Sequence, residues 1–82
     1  MTSARRAYRL IVTRGGAGPA WLAPHRIDHV EIVGVDSGEV VLFWDLPAVQ
    51  ARRLVRALRE DLGTLDADAF LAAWRDAEQR DG

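Results

Sequence analysis

The chain has 82 residues, no cysteine and a formal net charge of −1. A domain this small buries only about two-thirds of the surface its unfolded chain exposes, so a well-packed core or a partner must supply its stability. Without cysteine, disulfides and thiolate metal sites are excluded, and a charge near zero removes bulk electrostatic attraction to nucleic acid or membrane.

Residues 1–6 read as a loose basic tail. Residues 7–13 (AYRLIVT) are short and β-branched, which predicts a strand. Arginine pairs of the kind at Arg5 and Arg6 open twin-arginine export signals. The apolar run at residues 10–13, however, stops at Arg14, short of the roughly 7–15 residues such a signal needs, so export is not expected. Residues 14–26 contain Gly15, Gly16, Gly18, Pro19 and Pro24 and predict a long loop. Residues 27–35 (IDHVEIVGV) and 39–44 (EVVLFW) read as two further strands. The turn material Asp36-Ser37-Gly38 between them predicts a hairpin.

A helix opens at Asp45 or Leu46, with Pro47 in its first turn, and stops at Gly63, a residue suited to a left-handed helix end. A second helix starts with Asp66 as N-cap, with Leu65 and Phe70 spaced as a hydrophobic staple, and runs to about Gln79. Residues 80–82 read as a tail. Ala51, Leu54, Val55, Leu58 and Leu62 form one helical stripe; Ala67, Phe70, Leu71, Trp74 and Ala77 form another. The chain is therefore expected to be one α+β domain over residues 1–82: a three-stranded antiparallel sheet, then a two-helix hairpin packed on one of its faces.

Period-two alternation sorts the strand residues by face. Tyr8, Leu10, Val12, Val30, Ile32, Val40, Leu42 and Trp44 form an apolar bed for the helices. The other set holds Arg9, Thr13, His29, Glu31 and Glu39, but also Ile11, Val33, Val35, Val41 and Phe43. Five apolar residues on a nominally solvated face call for a cover. Three readings stay open: the 14–26 loop, carrying Trp21 and Leu22, folds over the face; a second copy of the chain covers it; or it is an open surface. Ile11, Val33, Val35, Val41, Phe43 and Trp21 are the candidate interface residues.

Charge comes in blocks. Residues 1–26 carry five arginines and no acid, residues 27–46 five acids and no base, residues 47–59 four arginines, and residues 60–82 seven acids against two arginines. Mutual neutralisation of neighbouring blocks is the simplest expectation. Arg52, Arg56 and Arg59, with Arg53 beside them, lie on one helical face and form a candidate anion or nucleic-acid contact. Glu60 and Asp61 flank that stripe and no aromatic residue interleaves it, so a solvated helix face is expected and a nucleic-acid partner is not.

His25, Asp28, His29 and Glu31 have metal-ligand chemistry, but on an extended strand His25 lies roughly 13 Å from His29, so no metal is expected. Gly15-Gly16-Ala17-Gly18 lacks the remaining residues of a dinucleotide or phosphate loop, and Ser3 and Ser37 lack a nucleophile context. No cofactor is expected. Arginine is the sole basic residue type apart from histidine, and lysine and asparagine are absent, which reads as the codon bias of a GC-rich bacterial genome. In the order of its elements alone the chain is similar to peptide-binding domains of modified-peptide biosynthesis.

These observations lead to the expectation of a non-enzymatic interaction or accessory module in the bacterial cytoplasm, with no membrane partner. It would act as a homodimer, or with another protein, through the second sheet face. One alternative is a nucleic-acid-binding regulator using the arginine face of the first helix. Another is a small-molecule binder using the 14–26 loop with His25, His29 and Trp21.

Overall fold

The computed structural model describes residues 2–15 and 26–81. Its elements are α1 (Ala4–Ala7), β1 (Tyr8–Arg14), β2 (Ile27–Gly34), β3 (Val40–Pro47), α2 (Ala48–Thr64) and α3 (Ala67–Asp81). The strands form an antiparallel meander in the order β1-β2-β3. The helices α2 and α3 pack against one face of it, giving the expected α+β arrangement.

Alternation decides the core. Val30, Ile32, Leu42 and Trp44 point to the helical side and are buried, where they meet Ala51, Leu58, Leu62 and Phe70. Leu54 and Trp74, expected inside, are half-buried and pack against this cluster. Trp44 and Trp74 meet edge to face with ring centroids 6.0 Å apart, and Tyr8 stacks on Phe70 at 5.7 Å. Asp66 caps α3: its Oδ1 accepts the Ala69 N–H at 2.8 Å, while Leu65 and Phe70 pack inward on either side as a staple.

The ends of the chain differ from expectation. Residues 2–7 are docked rather than loose. The Ala4 N–H donates to the Leu65 carbonyl, the Ala67 N–H donates to the Thr2 carbonyl, and Ala4 is fully buried. A side chain as small as alanine lets α1 approach the junction of α2 and α3 closely. At the other end α3 continues through Asp81, so residues 80 and 81 belong to helix, not tail.

Two helix boundaries also move. Residues 45–47 extend β3, because pairing with β2 continues as far as Ile27 opposite Pro47, and Pro47 becomes the residue before the helix. Gly63 stays helical. The helix ends at Leu65, which turns extended while its N–H donates to the Asp61 carbonyl. The left-handed glycine among the described residues is Gly38, with φ of 73° in the β2–β3 turn.

A bulge corrects the face assignment. Ile32 pairs with Leu42 but Val33 pairs with Val40, so Val41 is the extra residue. That insertion inverts the alternation before Leu42. Val40, expected inside, is 51% exposed, whereas Val41, expected on the outer face, is half-buried and packs against the core.

Candidate functional site: the outer sheet face

Register places the outer residues in rows across the three strands. Arg9, Val33 and Val40 form one row; Ile11, Glu31 and Phe43 the next; Thr13, His29 and Asp45 the third. Ile27 and Pro47 pair beyond them, and Val35 follows Val33 into the turn. Ile11, Ile27, Val35, Val40 and Phe43 are all exposed on this surface, while Val33 is half-buried between its neighbours. Since α2 and α3 occupy the opposite face, none of the described helices covers it.

The face is mixed rather than uniformly apolar. Glu31 lies directly between Ile11 and Phe43, and Arg9 sits beside Val33. His29 Nδ1 bonds Asp45 Oδ1, and the imidazole stacks on the Phe43 ring with centroids 6.0 Å apart. The pairing of His29 with Asp45, and the neighbouring Glu31, leave the face with acid and base interspersed. Of the expected interface set, Ile11, Val33, Val35 and Phe43 lie here, Val41 does not, and Trp21 lies outside the described residues.

The arginines of α2 are elsewhere. Arg52, Arg53, Arg56 and Arg59 are exposed on the side of α2 that faces away from the sheet. None forms an ion pair with a described residue: the ion pairs recorded there join Arg26 to Asp28 and His29 to Asp45. The expected neutralisation between neighbouring charge blocks is therefore not made at this helix.

The grouping of Asp28 with His29 and Glu31 does not survive folding. Consecutive strand residues point to opposite faces, so Asp28 turns inward and is 4% exposed while His29 and Glu31 face outward. His25 lies outside the described residues. Asp28 instead clasps the two ends of the 14–26 segment. Arg26 Nε donates to its Oδ1 at 3.0 Å, Arg26 Nη2 to its Oδ2 at 3.4 Å, and the Gly15 N–H to Oδ1 at 3.3 Å. The Arg-x-Asp spacing at the start of a strand was the available signal, since i and i+2 side chains share a face.

No described helix is long and apolar enough to cross a membrane. Compared with known proteins, the chain matches no family model, no curated protein and no solved structure.

Proposed function

We propose that the chain is a non-enzymatic interaction module that pairs with a second copy of itself through the outer face of its sheet. The carrying observation is the group Ile11, Ile27, Val40 and Phe43, each 39–51% exposed on one face and adjoined by Val33. Large apolar side chains gathered in the open on one sheet face of a small domain favour an interaction surface, and burying them would raise a stability that few residues otherwise support.

A second copy suits this face because the face carries both signs of charge. A two-fold axis sets the same patch against itself, so a residue on one copy meets a different residue on the other. In such a dimer Arg9 on β1 of one copy would meet Glu31 on β2 of the other. Such a pairing would meet the carboxylate that otherwise interrupts the row between Ile11 and Phe43.

Light scattering of the full chain tests the reading. The wild type should have the mass of a dimer, and Phe43→Glu should yield a monomer with its circular dichroism retained. A monomeric wild type, or a dimer that withstands Phe43→Glu, overturns the proposal.

A further inference from the structure

We propose that the exposed arginine line of α2, continued by Arg5 and Arg6 of α1, is a binding track for the phosphodiester backbone of a nucleic-acid duplex, held without regard to base sequence. Arg52, Arg56, Arg59 and Gly63 follow one another at helical spacings of four, three and four residues and share one side of α2. At 1.5 Å per residue that line runs roughly 16 Å. Gly63 ends it at a cavity of about 490 Å³ lined by Thr2, Ser3, Arg5 and Arg6 besides Gly63 itself. Five arginines thus lie along this surface, with two hydroxyl side chains at its end; Arg6, at its margin, also lines a neighbouring pocket with Asp36, Asp66 and Asp68.

Three of the acids that follow these arginines in sequence accept neutral N–H groups, keeping their charge but directing it toward those donors. Asp61 accepts the Trp74 indole N–H at 2.9 Å, Asp66 caps α3, and Glu78 accepts the Phe43 N–H. Glu60, four residues after Arg56, is exposed beside the line as its one adjoining acid on α2 and forms no ion pair with a described residue. Among the described residues none of the α2 guanidinium groups has an ion-pair partner, and their planar forks match phosphate oxygens.

The chemistry of the surroundings selects among polyanions. No aromatic residue stands in the line for unpaired bases to stack on, which disfavours a single strand. The apolar stripe of α2 is already buried against the sheet, so the helix has no greasy side to sink into a lipid surface. A duplex backbone needs neither. The track lies on the opposite side of the sheet from the outer face, so both surfaces can be occupied together.

Fluorescence anisotropy of the full chain with a short labelled duplex of random sequence tests the assignment. If five arginines engage, log K should fall with log salt at a slope of about −4.5, a loss of several hundredfold between about 50 and 200 mM. Arg56→Ala should reduce that slope by about one. Gly63→Glu is the sharper variant: a Cβ there meets nothing within 4 Å, and Gly63 is not in the left-handed region. It should weaken binding at least tenfold at low salt with the circular dichroism and oligomeric mass unchanged. Absence of saturable binding at low salt overturns the proposal. So does binding indifferent to Gly63→Glu, or capture by phosphatidylserine vesicles with no binding to the duplex.

Discussion

The carboxylate of Glu78 accepts the backbone N–H of Phe43 at 2.8 Å, across 35 positions of sequence. Because the strand order leaves β3 at the edge of the sheet, the amides of alternate β3 residues point away from β2. Phe43 opposes Glu31 at one of these outward positions, and α3 delivers a side chain to satisfy it. The contact fixes the last turns of α3 against the sheet and blunts one site where a foreign strand could pair. Replacing Glu78 with alanine should cost about 1 kcal/mol, measured by urea unfolding, since the bond is exposed but has a charged acceptor. Glu78→Gln, which keeps an acceptor oxygen, should recover most of that loss.

Asp28 and Arg26 form a buried ion pair, each side chain 6% exposed. Removing the carboxylate deprives both the Arg26 guanidinium and the Gly15 N–H of a bonded acceptor. Asp28→Ala should therefore destabilise the domain by about 3 kcal/mol or more. Replacing both residues with apolar side chains of similar volume should be far less damaging than the single change, and chemical denaturation of the three variants would show it. A double variant as unstable as Asp28→Ala would mean that the Gly15 N–H bond to the carboxylate, not the ion pair, carries the clasp.

Gly15 leaves β1 at a point where a Cβ would sit 2.0 Å from the Ile27 carbonyl oxygen. That oxygen belongs to the neighbouring strand and cannot rotate aside, so the backbone itself would have to separate. Gly15→Ala should cost about 2 kcal/mol or more, visible as a lowered thermal midpoint. Gly38→Ala should also destabilise, by about 1 kcal/mol, through its positive φ alone, since its Cβ position is open.

The features legible in the sequence were those set by periodicity and caps. The two-residue alternation of β2 and the stripe from Ala51 to Leu62 identified the core, and Asp66 with Leu65 and Phe70 marked the start of α3. What escaped depended on pairing between distant segments. The bulge at Val41 is a mismatch between two strands and leaves no mark in either alone. The docking of residues 2–7 likewise depends on backbone bonds to Leu65 and Ala67, which no local pattern announces. The arginine line was visible as a stripe. That it forms no ion pair with a described residue was not, because side-chain pairing is settled only in three dimensions.

The proposed dimer makes a specific demand on Arg9 and Glu31. If they exchange partners across a two-fold axis, Arg9→Glu and Glu31→Arg should each weaken association about tenfold or more by opposing like charges. Combining them restores the attraction with its polarity reversed, so the double variant should dimerise more tightly than either single one. Sedimentation of the three variants decides this. A double variant no better than the singles would remove these residues from the contact.

The bulge gives the last test, because it makes opposite predictions for two adjacent valines. Regular alternation would put Val40 inside and Val41 outside, and a charge would then unfold the domain at Val40 and be harmless at Val41. With the extra residue placed between Val40 and Leu42, the order reverses. Val40 is exposed opposite Val33 on the outer face, so Val40→Glu should change the stability of the isolated subunit by no more than about 0.5 kcal/mol. It should nevertheless abolish the dimer, since the carboxylate would be buried in the contact without a partner. Val41 packs against the core, and Val41→Glu should cost about 2 kcal/mol or more by bringing a charge beside it. Light scattering and urea unfolding on the same two proteins separate the effects. Loss of association with the fold intact at Val40, together with loss of the fold at Val41, is the pattern the bulge requires.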